Sequence, residues 1–307
     1  MIKCDKCSAC AIIYQKYSGM HLCRRHFEDD LHRKIREGIR RYNLVGSAKK
    51  VAVAISGGKD SSTLLYALRS LFSRRRDLEL VAVMVDEGIA GYRPETLAEG
   101  RKLAHQLEIP YVEVSFQDFF GITIDEIAMM RQAQAPCTFC GVFRKSLLNR
   151  VAREMGADLL ATGHNLDDEA QTVLLNYLRG DIDRLYRLNP KTRQDGMVYR
   201  IKPLCRVPEK EVALYAIAND LPYCRATCPY IGRAMRLEVK KMLNDFEAVH
   251  PGSKYSIMQG FERITRLPRK ETFRSASCRV CGEPCSSGIC QSCKLLDQLT
   301  KGAKPFY

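Results

Sequence analysis

Val51-Ala-Val-Ala-Ile-Ser-Gly-Gly-Lys-Asp-Ser61 is the stretch on which the reading of this chain turns. Its first half is an apolar run with β-branched Val51, Val53 and Ile55, the pattern of a strand buried in a parallel sheet. The run stops at Ser56-Gly57-Gly58-Lys59-Asp60-Ser61, after which Leu64, Leu65, Leu68 and Leu71 recur at helical spacing. A glycine-rich turn therefore joins a strand to a helix start. Glycine lets the backbone approach an anion closely, and the unpaired N–H groups of the helix start point at it. Lys59 adds a fixed positive charge. The stretch predicts a phosphate site.

A Walker A loop is excluded, because it needs glycine where Val53 stands and Ser or Thr where Asp60 stands. The run resembles instead the PP-loop, Ser-Gly-Gly-x-Asp-Ser, of enzymes that split ATP to AMP and pyrophosphate. Asp60, directly after the lysine, suits that chemistry, since its carboxylate can hold Mg²⁺ on the pyrophosphate.

Working outward, 307 residues suffice for a central domain with small satellites. No apolar run approaches the roughly 20 residues that span a bilayer, and the N-terminus lacks the apolar region of a signal peptide. A soluble, cytoplasmic protein without membrane association is expected. Fourteen cysteines in a reducing compartment argue for metal rather than disulfides. The formal charge of +14 suggests a polyanionic partner. Bound metal–thiolate centres would lower it only to about +10.

Residues 1–27 carry Cys4-x₂-Cys7, fifteen intervening residues, and Cys23-x₂-His26. Two such knuckles can close a tetrahedral zinc site, and so short a segment needs the metal for its stability. Cys10 is left over as a plain buried thiol. Residues 278–293 repeat the logic with Cys278-x₂-Cys281, eight residues, and Cys290-x₂-Cys293, a zinc-ribbon pattern; Cys285 lies outside both pairs. Residues 28–44 read as a helix with an apolar stripe of Leu31, Ile35, Ile39 and Tyr42. Its basic residues fit a solvated face or an RNA backbone contact equally well.

Between these ends, the run 78–85 reads as a second buried strand, 94–108 as a helix, Pro110 to Phe116 as a third strand, and Asp158 to Thr162 as a fourth. The alternation predicts an α/β fold, a parallel sheet with helices on both faces. Ligands in such sheets bind beyond the carboxyl ends of strands. Asp86 and the turn Gly163-His164-Asn-Leu-Asp-Asp168 would lie there. Residues 181–206 are basic and turn-rich and give no ordered pattern. Helices follow at 209–219, about 233–249 and 254–267. The expected domains are residues 1–27, a basic linker helix 28–48, a nucleotide domain 49–206, a helical extension 207–274 and a ribbon 275–307.

The whole chain resembles the two-zinc-finger tRNA 2-thiouridine synthetases, the TtuA, NcsA and cytosolic thiouridylase family. The likeness rests on the N-terminal Cys/Cys/Cys/His set, Ser56–Ser61, Asp86-Glu-Gly-Ile-x-Gly-Tyr92, Cys137-Thr-Phe-Cys140-Gly141, Gly163–Asp168, Cys228-Pro-Tyr230 and the C-terminal ribbon. It implies a PP-loop ATP pyrophosphatase, HUP-like, that adenylates the C2 oxygen of a tRNA uridine and then displaces AMP with sulfur. Ser56, Gly57, Gly58, Lys59, Asp60 and Ser61 would hold the phosphates, with Ala54, Ile55, Asp86, Gly163 and His164 around the nucleoside. Asp168 would act as an ATP-orienting or catalytic acid, and Arg144 would face phosphate or tRNA. Cys137, Cys140 and Cys228 would hold a [4Fe-4S] cluster with one iron open to carry sulfur. The implied cofactors are ATP, Mg²⁺, two Zn²⁺ and that cluster. The implied partners are tRNA, a sulfur donor (a ubiquitin-like carrier or inorganic sulfide) and a second copy in a homodimer.

Alternatives stand beside this. Cys140 and Cys228 could work as a persulfide and resolving pair without iron, or Cys137 and Cys140 could form a third zinc knuckle. Cys205 and Cys224 have no place in the pattern and read as core thiols. The run from Cys137 to Lys145 and the Asp86–Ile89 turn favour the wobble uridine over the T-loop uridine. A tRNA cytidine thiolase would lack the zinc modules, and a non-enzymatic RNA scaffold would have a damaged PP-loop.

Overall fold

The computed structural model describes residues 2–40, 47–130, 134–188, 196–231, 235–267, 276–285 and 288–302. The chain opens with an antiparallel hairpin, β1 (Ile13–Gln15) and β2 (Met20–Leu22), and the helix α1 (Arg24–Arg40). Then come β3 (Lys50–Ile55), α2 (Lys59–Leu71), β4 (Glu79–Asp86), α3 (Arg93–Gln106) and β5 (Tyr111–Ser115). Two short helices, α4 (Phe116–Phe120) and α5 (Ile124–Met129), lead into the long α6 (Pro136–Glu154). Next are β6 (Leu159–Ala161), α7 (Leu166–Leu178), α8 (Ile182–Arg187) and β7 (Tyr199–Ile201). The helices α9 (Glu209–Ala218), α10 (Met235–Val249) and α11 (Ser253–Thr265) follow, and the pair β8 (Ala276–Ser277) and β9 (Pro284–Cys285) with α12 (Gln291–Gly302) ends the described chain.

Five strands form one parallel sheet in the order β5-β4-β3-β6-β7. The chain runs outward from β3 through β4 to β5, then returns to lay β6 on the other side of β3. That reversal opens a crevice beyond the carboxyl ends of β3 and β6, the place where open α/β sheets bind ligands. The period of two along a strand divides the core. Val51, Val53 and Ile55 point to one face with Leu64, Leu65 and Leu68 of α2. Ala52 points to the other, with Phe139, Phe143 and Leu147 of α6. Both faces are thus covered, as expected for a parallel sheet.

The short strands of the two terminal modules had no counterpart in the sequence reading, nor did β7, α4, α8 and α12. β7 has three residues with Arg200 at its centre, so it carries no apolar signature, and it is an edge strand. α4 and α8 have five and six residues, too few for a helical period to show. α12 follows the last cysteine pair, where the ribbon pattern held attention. α1 starts at Arg24 rather than residue 28, so His26 lies inside its first turn. Its buried side includes Leu31, Ile35 and Ile39 as expected, and also Lys34. Tyr42 lies outside the described residues.

The two ends dock on opposite faces of the sheet. Lys34 Nζ sits 2.6 Å from Glu211 of α9 and 2.7 Å from Asp30. Gln15 Nε2 donates to both carboxylates at 2.9 Å, and the Tyr17 hydroxyl donates to Glu211 at 2.6 Å. This buried network joins the N-terminal hairpin and α1 to α9. At the other end, Leu295 and Leu299 of α12 are buried in the core that holds α6, and Glu283 pairs with Arg153 of α6.

Candidate active site

The turn at Ser56–Ser61 lies between β3 and α2, at the mouth of the crevice. Gly57 has φ of +78°, and a Cβ there would come within 1.9 Å of the Thr96 carbonyl oxygen, so only glycine fits. Gly58 caps α2 without a side-chain hydrogen bond, leaving the first N–H groups for a ligand. The Ser61 hydroxyl donates to the Gly58 carbonyl at 2.9 Å and accepts from the Ser56 N–H at 3.2 Å, fixing the loop. Lys59 Nζ lies 2.9 Å from Asp60 and 3.1 Å from Glu209. Burial opposes the Lys59 charge, but Asp60 and Glu209 outweigh it and raise its pKa. Burial also raises the Asp60 pKa, more than Lys59 and the Asn165 amide at 2.9 Å lower it.

The crevice encloses about 390 Å³. Its walls include Ala54, Ile55, Ser56, Asp60, Ser61, Gly163, His164, Asp168 and Arg144 from the sequence-predicted set. Gly163 matters for its closeness: a Cβ there would stand 3.1 Å from the Asp60 carbonyl carbon and the Ser61 nitrogen. Asp168 closes a capping box with Asn165 at the start of α7 and pairs with Arg236 at 3.2 Å. His164 opens onto the crevice with its Nδ1 2.9 Å from the Thr162 hydroxyl. Desolvation by the surrounding walls, then the charges of Lys202, Arg200 and Arg236, hold its pKa down to about 4. Asp86 is not part of this lining; its carboxylate accepts the Gly88 N–H at 2.8 Å and shapes the turn after β4.

Next to the crevice stand the three central cysteines. Cys137 and Cys140 occupy the start of α6, after Pro136 at its first position. The Cys137 thiol donates to the Tyr230 carbonyl at 2.8 Å, two residues past Cys228. The Tyr230 hydroxyl donates to Asp125 at 2.7 Å, pinning this loop against α5. Cys140 and Cys228 pack against the same core, and burial, together with the charges of Glu87 and Cys228, raises the Cys140 thiol pKa. Arg144, one turn on from Cys140, donates to its sulfur at 2.9 Å and pairs with Glu87 at 2.7 Å. The three thiols therefore gather at one end of the crevice, although Cys228 follows Cys140 by 88 positions.

The sulfurs of these three are not drawn together within 4.8 Å as the terminal sets are. Among the described residues, only the two terminal sets bring metal-ligand atoms of three or more His, Cys, Asp or Glu residues within 4.8 Å of one another, each with four members. The central three come from two separate segments, and no fourth cysteine joins them. Cys224 points elsewhere, with its sulfur 3.9 Å from Glu95 and its N–H bonded to the Gly57 carbonyl at 2.8 Å. It is half-buried against the phosphate loop rather than a core thiol, whereas Cys205 is buried as expected.

The terminal sets are Cys4, Cys7, Cys23, His26 and Cys278, Cys281, Cys290, Cys293. Cys4 Sγ lies 3.4 Å from His26 Nδ1, and Cys281 Sγ lies 3.5 Å from Cys290 Sγ. Although burial works against it, N–H donors hold the Cys4 and Cys278 thiols down to about 6, favouring the thiolate that a metal needs. Cys285 is outside its set, and Cys10 is exposed rather than buried.

Sequence reasoning missed three contributors. Arg93 is 3% exposed, donates to the Ser56 carbonyl at 2.9 Å, and pairs with Glu87 at 2.5 Å. Glu87, equally buried, thus bridges Arg93 and Arg144. Glu209 sits between Lys59 and Lys240. Glu87 and Arg93 stood in a stretch already singled out, but nothing in their spacing showed that two arginines would share one buried carboxylate. Of the helix-borne arginines considered for RNA, Arg33 is committed to Asp30 and Glu37. Arg36 faces a separate cavity with His32 and Arg74. Arg41 lies outside the described residues.

A parallel sheet with this phosphate loop and crevice defines a PP-loop ATPase, and the family model described as "PP-loop domain" matches residues 27–227. A second, "2-thiouridine synthetase TtuA, N-terminal LIM domain", matches residues 3–28. The chain belongs to the TtuA/NcsA family of PP-loop tRNA 2-thiouridine synthetases. It is 38% identical to the tRNA 2-thiolation protein NcsA of Haloferax volcanii, covering 97% of this chain and 99% of that one. It is 34% identical to the tRNA-5-methyluridine(54) 2-sulfurtransferase of Pyrococcus horikoshii, over 95% and 93% of the two chains. Among solved structures, the U34-tRNA thiolase NcsA from Methanococcus maripaludis with its [4Fe-4S] cluster superposes with a TM-score of 0.87 at 38% identity, over 97% of each chain.

Proposed function

We propose that this chain is an ATP-dependent tRNA sulfurtransferase that makes 2-thiouridine at the wobble position. The observation that carries the reading is one crevice with the phosphate loop at one end and Arg144, bonded to Cys140, at the other. ATP would lie with its nucleoside against Ala54, Ile55 and Gly163. The uridine C2 oxygen attacks the α-phosphorus, and the bond to pyrophosphate breaks. The loop N–H groups, Lys59 and Ser61 stabilise the charge that develops on the leaving group. Burial raises the Asp60 pKa, and Mg²⁺ bound to its carboxylate would favour the charged form and bridge it to the pyrophosphate. A sulfur nucleophile at the sulfide level then forms the C2–S bond, and AMP leaves with the original oxygen.

Cys137, Cys140 and Cys228 would hold a [4Fe-4S] cluster, whose chemistry is to present that sulfur. Arg144 neutralises negative charge at Cys140, and Glu87 keeps the guanidinium in place. Cys4, Cys7, Cys23 and His26 would bind one zinc, and the four ribbon cysteines a second. The sulfur donor would be a ubiquitin-like carrier or inorganic sulfide, and the working unit a homodimer in the cytoplasm. The wobble position is preferred over the T-loop because Arg144 stands where the resemblance places lysine in T-loop enzymes.

The test is nucleoside mass spectrometry of tRNA from cells lacking the protein, complemented with the intact chain, Lys59→Ala or Asp60→Ala. Wobble 2-thiouridine should disappear and return only with the intact chain. Return with both variants would remove the ATP step, and loss of the T-loop nucleoside instead would move the target.

A further inference from the structure

At the edge of the crevice, five cations converge from four segments: Lys145 on α6, Arg184 on α8, Arg200 on β7 with Lys202 just after it, and Arg236 on α10. Their proximity follows from the fold. The Asn149 side chain, one helical turn beyond Lys145, accepts the Val198 N–H at 3.0 Å. Arg200 is two residues past Val198, so both point to the same side of the strand, and its sheet partner Leu160 lies in the core that holds α6. Lys145 and Arg200 therefore face each other. Lys202 reaches Glu169 at 2.7 Å, and Arg236 reaches Asp168 at 3.2 Å, both in the first turn of α7 beside His164.

The acids do not balance these charges. Asp168 and Glu169 satisfy Arg236 and Lys202, and Asp181 lies 3.8 Å from Arg184. Among the described residues, Lys145 and Arg200 have no hydrogen bond or ion pair to protein, and Arg200 Nε is buried without a partner. Desolvation by the surrounding walls, then the charges of Arg200, Lys202, Arg184 and Arg236, lower the Lys145 pKa. Lys145 is exposed and Arg200 half-buried, so an anion joining them would relieve their repulsion and satisfy the buried Arg200 Nε.

We infer that Lys145 and Arg200 form a phosphate subsite that grips one RNA phosphodiester flanking the target uridine. The inference rests on the tRNA reading above and gives it a place. Neither Lys145 nor Arg200 lines the crevice beside the phosphate loop, so the pair would hold the polynucleotide rather than ATP. Guanidinium and ammonium together suit a phosphodiester: the arginine fork binds two oxygens, and the lysine adds a point charge.

The experiment is fluorescence anisotropy of an anticodon stem-loop RNA across a salt series, with the intact chain and Lys145→Gln/Arg200→Gln, alongside ATP binding. Each phosphate contact contributes about 0.7 to 0.9 to the log–log salt slope. The double variant removes one phosphate contact, so it should lower the slope by about 0.7 to 0.9 and weaken binding severalfold near 0.1 M salt. ATP affinity should not change. The charge-preserving pair Lys145→Arg/Arg200→Lys should keep the slope. If the double variant fails to fold, Lys145→Gln alone, on an exposed helix face, should lower the slope in the same direction, by no more than about 0.9. An unchanged slope in a folded variant overturns the subsite alone. A loss of ATP affinity with an unchanged RNA slope assigns the cations to nucleotide phosphates and also overturns it. No RNA binding by the intact chain removes the subsite together with the reading beneath it.

Discussion

The terminal cysteine sets and the central one use the same side chain for opposite ends. Each terminal set closes four ligands within 4.8 Å, and all four lie within 23 residues of sequence in one case and 16 in the other. The central set offers three thiols from segments far apart, one exposed and two half-buried, beside a crevice. A closed tetrahedral set leaves a metal nothing to do but hold the chain. An open set, whose geometry the whole fold must supply, leaves a coordination position for chemistry. On the function proposed above, local spacing builds structure and long-range convergence would build reactivity.

The largest expected effect comes from breaking a terminal set. Zinc sites of this kind are worth roughly 10–16 kcal/mol of apparent binding energy in isolated peptides. Cys4→Ser or Cys281→Ser should lose one zinc equivalent and expose its own module to protease, leaving the central sheet folded. Metal analysis with limited proteolysis checks this. Full zinc content in a stable variant would erase the distinction between the sets.

Breaking the central set should do the reverse. Cys137→Ala, Cys140→Ala and Cys228→Ala should each lower tRNA thiolation by at least about 10³, or about 4 kcal/mol of transition-state stabilisation, while ATP binding and zinc remain. Anaerobically prepared chain should carry about four irons, lost in each variant. Iron-free chain that still thiolates, and needs Cys140 and Cys228 but not Cys137, would replace the cluster with persulfide chemistry.

The comparison also explains what was legible in the sequence. The phosphate loop, the strands β3 to β6 and both terminal sets are local patterns, with turn glycines, β-branched runs and paired knuckles all readable in a short window. The sheet order was not, because the reversal at β3 depends on where β6 lands. β7 escaped because its middle residue is Arg200. Glu87, Arg93 and Glu209 escaped because a carboxylate shared by two cations from distant segments leaves no spacing to read. Asp86 was expected at the nucleoside, yet it shapes its own turn, a role that an acid two residues before a glycine performs in many loops.

A third prediction asks how firmly the N-terminal set is joined to the centre. Asp30 is 8% exposed in the network with Lys34, Gln15 and Arg33. Burial raises its pKa, but Gln15, Lys34 and Arg33 prevail and lower it from 3.8 to about 2. The unfolded chain then takes up the proton first as pH falls. The stabilisation, about 2 kcal/mol, is fully present above pH 4 and is lost progressively as pH approaches 2. Asp30→Asn should flatten this part of the denaturation profile, measured by urea melts between pH 5 and 2. An unaltered profile would show that the network does not secure the module.

The smallest effect separates two ways of fastening the C-terminal ribbon to α6. Arg153 and Glu283 form an ion pair across that contact, but the arginine side chain is 41% exposed. Water screens such a pair, and the expected contribution is at most about 1 kcal/mol. Leu295 is fully buried in the same contact, and truncating a buried leucine costs about 2–5 kcal/mol. Arg153→Gln should therefore barely shift hydrogen exchange in α12, whereas Leu295→Ala should speed it markedly with zinc still bound. Since α6 also begins at Cys137 and Cys140, loosening the ribbon tests whether the closed set only holds itself together or also steadies the open one. Iron content that falls in Leu295→Ala and holds in Arg153→Gln would tie the two through α6. Iron unchanged in both would leave the ribbon an independent unit.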